Sequence, residues 1–310
     1  MLTREKFDEL ISSQSDNINT YIETIELNSE IEDTKTTTYI HCLKLCGRKL
    51  PRVNDFAKYL SYRVINYAIP KTDIRTAQLK DIEECGSANI MKLREKAVSL
   101  FTNLKTSGEG GELLLYILVE EFLKIPQLIC KMPLKTSGQV HYHGVDGIHC
   151  TLGDTGNLEL YWGESKLHQT YGQAIKECFI SLNNFLQNSP STDRDIELIH
   201  DNLDLIDADF QNALVNYFDK DHSNYNLMNY NGIALVGFDF NKYPSSPNSL
   251  DLDAIIKEVN LKLSTWKAKV KEQVEKHQYL NTFKIHLFIL PFPSVQEFRD
   301  YFLEELGISQ

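Results

Sequence analysis

Two segments, 232–240 (GIALVGFDF) and 283–290 (FKIHLFIL), are apolar almost without interruption, and a Lys-rich stretch of helical periodicity at 250–276 separates them. Apolar runs of this length suit strands buried on both faces, and strand, helix and strand in that order make a crossover unit. The spacing therefore predicts an α/β fold with a mixed central sheet flanked by helices. A chain of 310 residues with 42% hydrophobic and 24% charged residues, 9 Pro and 15 Gly can bury a large core, which excludes collagen-like, coiled-coil and wholly disordered readings. The longest apolar stretch lies at 113–119, far short of the roughly 20 residues a bilayer span requires. The N-terminal MLTREKFDELISSQ places charges inside what would be the apolar core of a signal peptide, so a cytoplasmic protein without membrane association is expected. Cys42, Cys46, Cys85, Cys130, Cys150 and Cys178 are scattered, and the Cys42/Cys46 pair has no second ligand pair nearby, so reduced thiols are expected rather than a zinc site.

Helical spacing marks 3–12, 54–69 (closed by Pro70) and 89–104, while 37–46 reads as a strand. The expected organisation is a mainly helical N-terminal region at 1–104 and an α/β domain at 105–310. A strongly apolar helix at 112–124 follows the glycine break SGEGG and ends before Pro126. Short β-type runs at 129–134, 140–145, 148–152 and 158–162 alternate with Gly-containing turns, as in an antiparallel meander. Helices are expected again at 169–186 and 196–218. The SGEGGE segment lacks the Gly-Lys-Ser/Thr ending of a phosphate-binding loop and reads as a flexible approach that lets Glu112 swing.

The net charge of -11 argues against a polyanionic partner until its distribution is counted. Residues 1–33 hold 2 Lys+Arg against 9 Asp+Glu, residues 38–105 hold 13 against 6, and residues 186–259 hold 4 against 13. An acidic head, a basic second segment and an acidic flank permit a local basic surface on an acidic protein. Segment 38–105, with Arg48, Lys49 and Arg52, is the expected positive surface.

Polar residues arrive in a particular order on particular elements: Glu112, Asp146, Glu164-Ser165-Lys166 and Gln173. Singly, each has an ordinary reading: Glu112 as a first-turn acid, Asp146 in HGVDGIH as a hairpin turn, Glu164 and Lys166 as a surface pair. Glu164 and Lys166 follow LELYW at i and i+2, so a continuing strand projects both from one face. Acidic oxygens in such an array hold Mg²⁺ or Mn²⁺ against a phosphate, and the neighbouring lysine orients water or offsets developing charge.

In combination these residues resemble the restriction-endonuclease-like PD-(D/E)xK nuclease superfamily over roughly 105–186. The resemblance implies Asp146 and Glu164 as metal ligands, Lys166 as the catalytic lysine, Glu112 as an additional helix acid and metal ligand, and Gln173 as the glutamine that follows the lysine. Val145 stands where that pattern has proline. The longer strings GEGGELLLYILVEEFL, HGVDGIH and LYWGESKLHQTYGQAIKECFISL look like a narrower group, the HamA-like nuclease subunit of the Hachiman antiphage defence system. That likeness implies a metal-dependent DNA nuclease with Mg²⁺ or Mn²⁺ as cofactor, DNA as substrate and a helicase subunit as controlling partner.

Two other readings stay open. His141, His143 and His149 flank Asp146, and an HxH pair on a strand can bind a transition metal in a His-ligated hydrolase. A non-catalytic adaptor could keep the fold and bind DNA or a helicase without the chemistry. Tyr142, Tyr161, Trp162 and Tyr171 cluster around the same segment, either to stack on bases or to fill the core.

Overall fold

A computed structural model describes residues 2–11, 17–102, 107–135, 146–187, 189–203 and 205–308. The run at 140–145, and with it His141, Tyr142 and His143, lies outside these residues. Strands β1 (Ile22–Glu30), β2 (Thr36–Leu43), β3 (Gly147–Leu152), β4 (Leu158–His168), β5 (Met228–Asp239) and β6 (Ile285–Phe292) form one sheet in the order β1-β2-β6-β5-β4-β3. The four central strands β2, β6, β5 and β4 are parallel neighbours, and an antiparallel partner closes each edge. β5 and β6 are buried along nearly their whole length, as their unbroken apolar runs require.

Helices α1 (Arg4–Asp8), α2 (Val53–Ser61), α3 (Val64–Ala68), α4 (Lys71–Glu83) and α5 (Ala88–Ser99) belong to the first hundred residues. They are followed by α6 (Glu109–Leu118), α7 (Met132–Lys135), α8 (Tyr171–Gln187), α9 (Ser189–Asn202) and α10 (Ala208–Val215). The last three are α11 (Leu252–Asn260), α12 (Leu263–Lys276) and α13 (Val295–Leu306). α8 packs on β4 and β5 and is backed by α12, while α6 packs on β4 and α2 packs on α13. The expected mixed α/β sheet flanked by helices is the fold observed. Among the described residues no helix is long and apolar enough to cross a membrane.

Several local expectations are corrected. β1 was not expected, and it and β2 place part of the N-terminal hundred residues in the common sheet, β2 pairing with β6 from Thr36↔Ile285 to Ile40↔Ile289. The expected strand at 129–134 is instead irregular at 129–131, with a bend at Ile129, and helical from Met132 in α7. The single helix expected at 250–276 breaks at 261–262, and the one expected at 54–69 breaks at 62–63. Trp162, Tyr161 and Tyr171 are buried, and the Tyr171 hydroxyl donates to Trp266 O at 2.9 Å, so these three aromatics fill the core. The acidic head is anchored too: Phe7 is fully buried edge-on against Phe210, and Lys6 Nζ donates to Asp207 at 2.8 Å.

The glycines before Glu112 are also corrected. Gly110 and Gly111 lie inside α6, where a Cβ on Gly111 would come 3.1 Å from Leu167 Cγ and 3.3 Å from Ser165 Oγ. They permit close helix-on-sheet packing rather than a swinging approach. Gly163 repeats the device from the strand side, its added Cβ meeting Leu115 Cδ2 at 3.1 Å. Gly111→Val is therefore expected to destabilise by about 1–3 kcal/mol through overpacking. Chemical denaturation measures this, and an unchanged midpoint would contradict the close approach.

Candidate active site

β4 carries the centre of the constellation. Its odd-numbered residues Gly163, Ser165 and Leu167 face α6, as the glycine contacts show. By strand alternation Glu164, Lys166 and His168 belong to the opposite face, where His168 Nε2 lies 2.8 Å from Glu177 Oε2 on α8. Lys166 Nζ donates to Glu164 Oε1, so the i, i+2 pair meets as its spacing predicts. The Glu164 side chain is 8% exposed and that of Lys166 27%. Burial alone works against the Lys166 charge, but the Glu164 carboxylate outweighs it and holds the ammonium pKa above its ordinary value.

Asp146 approaches from the start of β3. Its backbone N–H donates to Gly163 O at 2.8 Å, which fixes it beside β4. Its Oδ2 accepts from Ser165 N–H at 2.6 Å and from Ser165 Oγ at 2.7 Å. Burial, then the charges of Glu112 and Glu164, push the Asp146 carboxyl up to about 8 against the opposing pull of Ser165 and Lys166. Three acids thus share one electrostatic neighbourhood with one lysine.

Glu112 stands in the first turn of α6, where the helix dipole favours an acid. Its Oε2 accepts from Tyr67 Oη at 2.9 Å. Tyr67 comes from α3, is 1% exposed, and has its phenol pushed well above the ordinary range by burial and by Glu112. Gln173 is exposed near the start of α8, and its amide donates to Glu177 Oε1 at 3.1 Å, beside His168 rather than beside the acids. Beneath the site, Cys178 Sγ contacts Glu164 O at 3.6 Å, and burial raises its thiol pKa strongly.

The sequence-predicted residues therefore gather in two halves. Asp146, Ser165, Glu112 and Tyr67 form one, Glu164 and Lys166 the other, and Asp146 couples them electrostatically. Ser165, Tyr67, His168 and Glu177 complete the picture, and none of them was assigned a role from the sequence. Ser165 was hidden because the motif directs attention to its flanks, and Tyr67 because nothing local ties it to a helix 45 residues on. His149 is buried, its Nδ1 lies 3.3 Å from Ile125 O, and burial lowers its pKa to about 4.

Hard oxygen donors, and the mutual repulsion that helps raise the Asp146 carboxyl, suit a divalent cation. Among the described residues no group of three His, Cys, Asp or Glu is spaced to hold one ion together. The fit is thus one of donor type and charge, with Asp146 and Glu164 as the residues that would hold it.

The basic segment is partly neutralised by the fold. Lys49 pairs with Asp251, Arg52 with Asp55 at 2.9 Å, and the Arg52 guanidinium sits 4.7 Å from the Tyr21 ring centroid. These side chains are engaged within the protein as well as facing solvent.

The family model of HamA matches residues 19–306. The chain belongs to the HamA family. HamA is a protein of the Hachiman system, so this chain is a component of Hachiman antiphage defence. The match spans both the N-terminal strand pair and the final helix α13 of this HamA-family chain. No curated protein matches the sequence.

Proposed function

We propose that this HamA-family protein is a divalent-metal-dependent DNA nuclease of the PD-(D/E)xK kind, controlled by a helicase partner. One observation supports the reading above the rest: β4 presents Glu164 bonded to Lys166, with Asp146 fixed beside it by Gly163 and Ser165. Asp146 and Glu164 would hold Mg²⁺ or Mn²⁺, with Glu112 as the third acid nearby. When bound, the ion supplies Lewis-acid activation of water and of the scissile phosphate. Lys166 offsets negative charge gathering on the phosphate and orients the attacking water from its place beside Glu164. Ser165 keeps Asp146 aimed, and Tyr67 keeps Glu112 in place. Gln173, bonded to the same Glu177 that meets His168, would contact the nucleic-acid backbone.

The net charge of -11 weakens intrinsic attraction to DNA, so a partner that delivers the substrate fits the electrostatics. The deciding assay incubates plasmid and linear DNA with the protein, alone and with its helicase, in Mg²⁺, Mn²⁺ or excess chelator. Cleavage is expected only with both metal and partner, and chelator is expected to remove it entirely. Absence of cleavage by the complex under every metal condition would overturn the assignment.

A second reading, a non-catalytic adaptor that binds DNA or a helicase, is favoured by the lack of a three-residue metal group among the described residues. Calorimetric titration separates the two. The nuclease binds Mn²⁺ and gains thermal stability by mass action, about 2.7 kcal/mol at 100 times Kd, and the adaptor does not.

A further inference from the structure

Residues 126–130 run along the free edge of β3. Leu128 N–H donates to Ile148 O at 2.8 Å, Cys150 N–H donates to Pro126 O at 3.2 Å, and Gln127 bridges to His149. Outside this edge lies a cavity of about 190 Å³, bounded by Lys71 at the start of α4, by Gln127, Leu128 and Ile129, and by Leu205 just beyond α9. That volume far exceeds the roughly 10–15 Å³ that one water needs.

Two of the bounding side chains end in buried N–H donors with no acceptor among the described residues, Lys71 Nζ and Gln127 Nε2. Gln127 is only 6% exposed. Buried donors are almost always satisfied, and leaving them unmade costs stability. Burial lowers the Lys71 pKa, while Glu120 acts on its ammonium through space in the opposite direction without bonding to Nζ. The nearby Lys131 is already engaged with Asp195 at 3.4 Å. α4 begins at this cavity, and its N-cap residue, Pro70, offers no side-chain acceptor to the helix terminus. The positive end of a thirteen-residue helix therefore adds to the two donors.

We propose that this cavity binds a small oxyanion, a phosphate or carboxylate group, which accepts from Lys71 Nζ and Gln127 Nε2 at the start of α4. The apolar part of its carrier lies against Leu128, Ile129 and Leu205. The site shares no residue with Asp146, Glu164 and Lys166, so its test needs no nuclease activity.

The full chain is titrated with inorganic phosphate and, in parallel, with acetate at constant ionic strength, followed by thermal shift and calorimetry. A saturable rise in Tm is expected for one of the anions, and the responding arm tells phosphate from carboxylate. Lys71→Met and Gln127→Leu are each expected to weaken that response at least tenfold. Both remove an unpaired buried polar group, so both are expected to fold with Tm at or above that of the unsubstituted protein. Should Lys71→Met fail to fold, Gln127→Leu carries the same test alone. An equal, non-saturating rise in all three proteins is a general salt effect and overturns the proposal. No response to either anion overturns it as well.

Discussion

Lys166→Met is expected to lower the cleavage rate of the helicase-loaded protein by about 10²–10³-fold, the usual loss when one group that stabilises transition-state charge is removed. The argument rests on placement: Lys166 Nζ is the cation bonded to Glu164, and that carboxylate also couples to Asp146. Methionine keeps length and apolar volume but has no charge. The substitution also leaves the Glu164 carboxylate, 8% exposed, without its ammonium. Breaking a fully buried pair costs about 3–5 kcal/mol, and the cost here is smaller because Lys166 is 27% exposed. A lost fold and a lost reaction must therefore be told apart. Lys166→Met combined with Glu164→Gln removes both charges and is expected to recover most of the stability while remaining inactive. Denaturation midpoints and single-turnover cleavage, measured on the same preparations, give both quantities. Retention of a tenth or more of the unsubstituted rate by Lys166→Met would remove the lysine from the mechanism.

How far the sequence foretold this arrangement depends on the range of the interaction. β5 and β6 were legible because residues buried on both sides of a parallel sheet must be apolar, and Glu164-x-Lys166 was legible because strand alternation has a fixed period. β1 was not. Its sequence, IETIELNSE, mixes acids into an edge strand, and its stability depends on partners far along the chain, such as Lys267 bonded to Glu26. The glycines at 110–111 misled for a related reason: glycine signals flexibility locally, whereas here its missing side chain admits Leu167 and Ser165 from β4. The clearest omission in the site is Tyr67, whose hydrogen bond to Glu112 joins two helices that no periodicity connects. Asp146 was found through its context, while the grouping of Asp146 with Ser165, and of Glu164 with Lys166, depends on which face of β4 each side chain takes.

Acid is expected to destabilise the protein steeply between pH 6.5 and about 4, because three imidazoles are folded in their neutral form. Burial lowers the pKa of His41 to about 3 and those of His149 and His286 to about 4. His41 has Thr24 Oγ1 at 3.2 Å on Nδ1 but, among the described residues, no partner on Nε2, and its ring packs against Phe122 and Phe288. His286 Nδ1 meets the Tyr39 hydroxyl at 2.9 Å. In the unfolded chain each imidazole takes a proton near pH 6.5, while in the folded one it does not until pH 4 or below. The unfolded state thus binds more protons across this window, and stability is complete above pH 6.5 and falls as pH falls. The three imidazoles together lose about 5 kcal/mol between pH 6.5 and pH 5, against a usual total of roughly 5–15 kcal/mol. Asp146 works the other way. Its carboxyl, raised to about 8, keeps its proton in the folded state where the unfolded state has lost it. Stability from that group therefore grows as pH falls from about 8 toward 4, returning about 2 kcal/mol between pH 6.5 and pH 5. The metal-free protein is expected to lose about 3 kcal/mol over that interval, and Asp146→Asn about 5 kcal/mol. Urea denaturation at pH 6.5, 5.5 and 5.0 measures both slopes. A flat profile would mean that the imidazoles are charged in the folded state, and parallel slopes in the two proteins would mean that Asp146 is ionised at neutral pH.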